Sequence, residues 1–419
     1  MADDAHTRTA AFAAAADLTR HLKWILPVAA IAAAWIVAGS LLWPTDVPDN
    51  LRLPDLDPRR YFDPADIDEA RDYETFTTIN AILSTIVLIA VLALYARHGE
   101  RFTRESAAGR IGTGMLLGML GFAFVWFAQL PFGVVQLWWD RRHDVSEVGY
   151  VDYVVSSWLS LGGVFLFICV GIVIVMALAR PFREQWWIPG AAVFVGLGLL
   201  FSFVAPYLVP DQESLSNSRL ATAAEQLARE QGVSDIPVKV EDVDEFTDEP
   251  NAFAAGLGPT RRVILWNTLL DPPFSDREVR VVIAHELGHH SRDHIWKSFG
   301  WFALLAAPMA LLVAFATRRR GGMYEARAVP LALFVIVVLQ IAVSPVQNVI
   351  SRRYEAEADW VALQTARDPT AQREVFTDLT ETSLTDPDPP EWEVVLFGTH
   401  PTAMQRIEMA EAWRTRDRP

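Results

Sequence analysis

Five consecutive residues, His285-Glu286-Leu287-Gly288-His289, carry more chemical information than any other part of this 419-residue sequence. Two histidines four apart lie on one face of an α-helix, one turn from each other. One zinc ion can then take both imidazole nitrogens, and the Glu286 carboxylate sits beside them to work on zinc-bound water. So short a pattern arises by chance in roughly one per cent of chains of this length. A catalytic zinc needs a third protein ligand besides its water. The best candidate is Glu355, in Asn348-Val349-Ile350-Ser351-Arg352-Arg353-Tyr354-Glu355-Ala356-Glu357-Ala358-Asp359. On a helix Glu355 and Asp359 face the same way, and Glu357 points elsewhere. Glu355 would ligate the metal, and Asp359 would accept the other ring N–H of a ligand histidine, fixing its tautomer. The plainer alternative pairs these carboxylates with Arg352 and Arg353 on a solvated face.

The elements that must hold these residues are mostly apolar. The chain is 52% hydrophobic, has 15 Trp, and concentrates its apolar residues in long runs. About seven such runs read as membrane spans: Trp24–Trp43, Ile79–Tyr95, Gly112–Trp139, Val154–Leu178, Trp186–Leu208, Phe299–Thr317 and Val329–Val349. The third is long enough to require a tilt or a kink, for which Pro131 is placed. Trp43, Tyr95, Trp138, Trp139, Trp186 and Trp187 lie at span ends, as in an interfacial aromatic belt. The first run is longer than a signal-peptide core and reads as an anchor.

The formal net charge is −15, with acidic residues crowded into Asp46–Glu74, read as a solvated loop. An acidic chain without a basic stripe argues against nucleic acid as a partner. The single cysteine, Cys169, lies in the fourth span, which excludes an internal disulfide and a thiolate zinc site. Lysine occurs only at Lys23, Lys239 and Lys297 while arginine is abundant, a bias that suggests a GC-rich bacterial genome.

These features divide the chain into four parts. Residues 1–208 form an N-terminal membrane region of about five spans. Residues 209–297 form a soluble subdomain with the His285–His289 helix. Residues 298–350 form a membrane hairpin of two spans, and residues 351–419 complete the catalytic domain. The fold class is therefore a multi-pass α-helical membrane protein with a split, mainly helical α+β zincin-type catalytic domain. Within the subdomain, Leu215–Gln231 has helical periodicity and Ile236–Val243 reads as a strand. Asn251–Gly258 and Arg262–Trp266 read as strands joined by a Gly-Pro turn. Ser275 and Glu278 form a capping box. The helix they start carries both histidines and has the sequence to run on toward the sixth span.

With His294 five residues past the second histidine, these motifs resemble the type I CAAX prenyl endopeptidase family, membrane zinc metalloproteases that include the HtpX-like heat-shock proteases. Two further blocks match: Asn251-Ala252-Phe253 with Gly256 and Val263-Ile264-Leu265, and Phe397-Gly398-Thr399-His400-Pro401 with Arg406. The blocks run from about residue 209 to 410, and about seven spans suits the CAAX arm. The first 200 residues match in hydropathy, with a weak likeness at Tyr61-Phe62, Ala70 and Tyr73.

The resemblance implies roles. His285, His289 and Glu355 bind one zinc per chain, and Glu286 is the general base. His400 donates to the oxyanion, with Arg406 nearby holding substrate or a neighbouring acidic group. Asn251 and Ala252 present a strand edge to the substrate backbone. His290 departs from the family, where an aromatic is common. It lies about 100° from His289 on a helix, facing the surface or the ligands' outer neighbours.

The implied function is a membrane-embedded zinc metalloendopeptidase, CAAX prenyl protease-like. Its partners are the bilayer and a peptide or protein substrate, lipidated or membrane-derived. The alternatives are HtpX-like quality control of membrane proteins and a non-catalytic membrane scaffold. The location implied is a bacterial cell membrane, and a bacterial source weighs against a dedicated prenylated substrate. The membrane side is in conflict. The arginines of the even-numbered loops put the zinc domain outside by the positive-inside rule, whereas the resemblance implies the cytoplasm. Arg292, Lys297, Arg352 and Arg353 weaken the bias, leaving the cytoplasm slightly favoured.

Overall fold

The computed structural model describes residues 25–26, 28–105, 108–209, 212–244 and 247–416. The start of the expected first span, Trp24 included, lies outside them. Among the described residues six helices are long and apolar enough to cross a membrane, and Val28–Leu42 is a shorter apolar helix, α1. The six are α2 (Pro64–His98), α3 (Gly109–Arg142), α4 (Tyr150–Phe182), α5 (Trp187–Val204), α8 (His294–Thr317) and α9 (Val329–Ala366). Helices suit these runs because every backbone polar group in hydrocarbon must bond within its own segment.

Large side chains on the helices point outward, among them Phe127 at 73% and Phe167 at 77% exposure. Such surfaces face lipid in a membrane protein and would be a liability in water. Between spans, small residues allow close approach, and polar side chains bond across. Tyr73 on α2 donates to Asp140 on α3 at 2.8 Å, and Asn80 donates to Gln136 at 3.1 Å. Pro131 lies inside α3, which remains one helix.

The polar part is built from α6 (Ser218–Glu230), α7 (Asp276–Ser291) and a four-stranded sheet of β1 (Glu213–Ser214), β2 (Val238–Glu241), β3 (Ala252–Ala255) and β4 (Arg262–Trp266). The strand order is β1-β2-β4-β3. β2 runs parallel to β4, and the outer pairs are antiparallel. Only β4 pairs with β3, whose other edge is free among the described residues. The β3–β4 turn needs Gly256, whose φ is +87°, because a Cβ there would meet the Thr260 carbonyl oxygen at 2.2 Å.

The capping box forms as its sequence predicts, with the Ser275 N–H donating to Glu278 Oε2 at 2.8 Å. The expected run of this helix toward the membrane does not occur. Asp293 adopts a left-handed conformation, φ +56°, and α8 starts at His294 in a new direction. By contrast α9 is a single helix of 38 residues, so the last span and the segment carrying Glu355 are continuous.

Helix α7 crosses α9 at Gly288, where a Cβ would stand 3.4 Å from the Ala358 Cα. Ile283 and Leu287 of α7, Val263 and Leu265 of β4 and Ile407 lock this crossing into one buried core. Each such side chain contributes roughly 1.5–3 kcal/mol on burial. Helices α10 (Pro369–Thr382), α11 (Glu391–Leu396) and α12 (Ala403–Arg416) complete the domain.

Candidate metal centre

The α7–α9 crossing sets one turn of each helix against the other. His285, His289 and Glu355 each offer a ligand atom within 4.8 Å of the others. The two Nε2 atoms are 3.1 Å apart. Glu355 Oε2 is 3.2 Å from His285 Nε2, and Oε1 is 3.5 Å from His289 Nε2. All three are mostly buried, and Glu355 Oε2 has no hydrogen-bond partner among the described residues.

Both ring nitrogens facing away from this cluster are engaged. His285 Nδ1 lies 2.8 Å from Asp359 Oδ1. Arg406 clamps the same carboxylate, donating to Oδ2 at 2.8 Å and Oδ1 at 2.7 Å while its guanidinium stacks on Phe376. On the other side His289 Nδ1 lies 3.1 Å from His294 Nδ1, whose Nε2 is 2.9 Å from Glu357 Oε2. Glu357 also accepts the Asp46 N–H at 2.7 Å and lies 3.7 Å from Lys297 Nζ. His294 stacks on Tyr354 at 4.7 Å. His285 is thus oriented by Asp359, and His289 by His294 backed by Glu357.

Glu286 lies beside the cluster on the floor of a cleft of about 320 Å³. Asn251, Ala252, Phe253 and Ala254 form one wall, with Val375, Phe376 and Leu379 across from them. A second cavity of about 450 Å³ reaches the cluster from the membrane side, past Ser202, Phe299, Trp301, Phe302 and Gln347. His289, Ile295 and Glu355 line both.

Burial pushes the Glu286 carboxyl up to about 7; a dication at the cluster would draw it down again. Burial also works to raise Asp359, but Arg406 and His285 outweigh it and hold the carboxyl below its usual range.

His400 lies at the cleft mouth with Nε2 3.5 Å from Glu355 Oε2. Two α9 residues hang the segment that carries it. Asn348 donates to the Leu396 carbonyl at 2.7 Å, and Arg352 donates to those of Val394 and Gly398. The Thr399 hydroxyl is 3.0 Å from His400 Nδ1, so a proton donated there leaves the Nε2–H facing the site.

Every candidate residue read from the sequence therefore lines or adjoins one cleft. Arg406 lines it too, with its guanidinium committed to Asp359. Asn251 is exposed, and its side chain accepts the Ala252 N–H at 2.8 Å. His290 is buried, with Nε2 3.1 Å from the Arg262 carbonyl, and takes no part in the cluster. Sequence reasoning missed the His294–Glu357 pair. On one unbroken helix His294 would point away from His289, and only the turn at Asp293 brings it back.

Residues 214–414 match the model of peptidase family M48. A Bacillus subtilis protein named Uncharacterized metalloprotease YhfN is 27% identical over 274 residues, covering 62% of this chain and 63% of that protein. A Protease HtpX homolog of Kineococcus radiotolerans is 32% identical over 189 residues, 40% of this chain and 64% of its own. A CAAX prenyl protease 1 homolog of Oryza sativa subsp. japonica is 26% identical over 179 residues, 38% and 40% respectively. The chain thus spans less than two thirds of these curated relatives. The crystal structure of S. mikatae Ste24p superposes with a TM-score of 0.68 over 91% of this chain and 96% of that one, at 16% identity. That likeness shows a common fold.

A match to a metalloprotease family implies a metal, and the residues gathered in this cleft fit one. Two imidazole nitrogens facing each other at 3.1 Å with a buried carboxylate beside them are a donor set suited to a divalent cation.

Proposed function

We propose that this protein is a membrane-embedded zinc metalloendopeptidase. One observation carries the reading: the two imidazoles and the Glu355 carboxylate converge beside Glu286 in a cleft walled by a free strand edge. Two imidazoles and a carboxylate are a donor set typical of catalytic zinc. His285, His289 and Glu355 would hold one ion, which when bound acidifies a water nucleophile and polarises the scissile carbonyl.

The remaining work falls to the chain's own side chains. Asn251 and Ala252 open the β3 edge, which aligns an extended substrate backbone by strand addition. Glu286 takes the proton of the attacking water on its carboxylate and passes it to the leaving amine. His400 donates its Nε2–H to the developing oxyanion, a contact worth about 3–4 kcal/mol. Arg406 holds Asp359, and Asp359 holds His285 in the tautomer that frees Nε2.

The substrate class is CAAX prenyl protease-like: extended chain segments, lipidated or membrane-derived, for which the membrane-side cavity leaves room. HtpX-like quality control of membrane proteins is the competing reading, favoured by the arginine-rich, bacterial character of the sequence. A bacterial cell membrane is the proposed location.

The test is cleavage of matched farnesylated and unmodified peptides by the reconstituted protein, with chelated enzyme as the background. Metal-dependent cleavage that favours the farnesylated peptide supports the CAAX-type substrate. Metal-dependent cleavage indifferent to the lipid supports quality control. Cleavage that survives chelation overturns the metalloprotease reading.

A further inference from the structure

The span ends remote from the metal centre meet at one face, where α2 passes into α3, α4 into α5 and α8 into α9. Residues 97–110, 180–187 and 318–328, which make up these ends, hold ten arginines against four acidic residues. The fold gathers them rather than dispersing them. The guanidinium groups of Arg110 and Arg183 lie 4.4 and 4.5 Å from the ring of one tyrosine, Tyr324. Arg110 reaches Glu325 at 3.6 Å, and Arg327 donates to the Arg320 carbonyl at 2.9 Å. One Nη of Arg320 is buried with no hydrogen-bond partner among the described residues. Clustered like charges and a partnerless guanidinium nitrogen call for more anions than the described residues supply.

The opposite end of the spans carries no such excess of arginine, and its first segment is net acidic. Residues 44–63 carry Asp46, Asp49, Asp55, Asp57 and Asp63 against Arg52, Arg59 and Arg60. The cations that stood against the positive-inside reading are engaged there. Arg292 pairs with Asp46 at 3.1 Å and Lys297 with Glu357 at 3.7 Å. Arg352 is held by the carbonyls of Val394 and Gly398, and Arg353 by that of Trp43. They act inside the metal-centre domain and are not free to meet headgroups.

We propose that the arginine face lies in the cytoplasmic leaflet against anionic phospholipid headgroups, so that the metal centre faces away from the cytoplasm. Arginines flanking spans set orientation in this sense and gain from anionic lipid. This is the reverse of the orientation that the CAAX resemblance implies. It rests on the multi-pass membrane reading alone and stands whether or not the centre cleaves peptides. If the centre does cleave, its substrates are chain segments on the exported side.

The test uses the full chain in a Cys169→Ala background with one new cysteine, at exposed Ser216 in the metal-centre domain or at exposed Arg319 on the arginine face. Spheroplasts are treated with a membrane-impermeant maleimide before and after permeabilisation. The expected result is that Ser216→Cys labels in intact spheroplasts and Arg319→Cys only after permeabilisation. The reverse pattern, or both sites labelling from outside, overturns the orientation. A second arm places the purified protein in nanodiscs of phosphatidylcholine with or without phosphatidylglycerol. A higher Tm with phosphatidylglycerol that is lost in the Arg318→Gln, Arg319→Gln, Arg320→Gln triple variant supports headgroup contact, and equal Tm values for the native chain in the two lipids overturn it.

Discussion

Arg352 touches neither the metal cluster nor the cleft floor, yet its truncation should cost activity by releasing His400. The guanidinium donates to the carbonyls of Val394 and Gly398, and the latter lies two residues before His400. Hydrogen bonds from a charged donor are worth about 1.5–3 kcal/mol each. The Arg352→Ala change thus removes about 3–6 kcal/mol of restraint by that figure, part of which water returns at the exposed loop. Asn348 still holds the Leu396 carbonyl, so the loop loosens without detaching. The catalytic loss has a ceiling, because Arg352 can matter only through what His400 does. Removing an oxyanion donor costs roughly 10²–10³ in kcat. Arg352→Ala should therefore lower kcat by roughly 10–10², below the loss in His400→Ala, with metal content unchanged. In the double variant the loss should match His400→Ala alone to within about 0.5 kcal/mol, since two changes acting through one group do not add. Peptide cleavage by the four proteins, with metal analysis of each, reads this cycle. Full additivity, or an Arg352→Ala loss larger than that of His400→Ala, refutes the reasoning.

Three further outcomes follow from the geometry. Asp359→Asn should weaken metal affinity by roughly 10–100-fold through misorientation of His285, read by competition with a chromogenic chelator; unchanged affinity would detach Asp359 from the centre. Gly256→Ala should lower Tm, because the new Cβ meets the Thr260 carbonyl at a forbidden 2.2 Å, while Gly288→Ala should fold, since its Cβ stands 3.4 Å from Ala358; thermal unfolding in detergent separates the two. Burial, then a hydrogen bond with Glu278, raise the Asp378 carboxyl well above its usual range. The folded state therefore favours the protonated acid, so its contribution is present below about pH 4, the unfolded value, and is lost as pH rises through the raised one. Asp378→Asn should flatten the fall in Tm between mildly acid and neutral pH, and an unaltered profile would contradict the assignment.

Much of this was legible in the sequence because it depends on local geometry. The four-residue spacings of His285/His289 and Glu355/Asp359, the capping box at Ser275 and the apolar runs each set a face or a boundary by themselves. What was hidden depends on where the chain turns and what meets after it turns. The left-handed residue Asp293 redirects α8 and brings His294 back onto His289, and Glu357 then serves from a helix face turned away from Glu355 and Asp359. The hold of Asn348 and Arg352 on the His400 loop joins residues more than 40 positions apart through backbone carbonyls, which carry no side-chain signature. The cations near the metal centre read as free charges in the sequence and are engaged in the fold.

The most direct measurement is of zinc content and peptide cleavage in Glu286→Gln beside the native protein. The amide cannot take a proton from water, while His285, His289 and Glu355 are untouched. The account predicts one zinc per chain in both proteins and a cleavage rate roughly 10²–10⁴-fold lower in the variant. Native-like cleavage by Glu286→Gln with its zinc in place would contradict the assignment of Glu286 as the base.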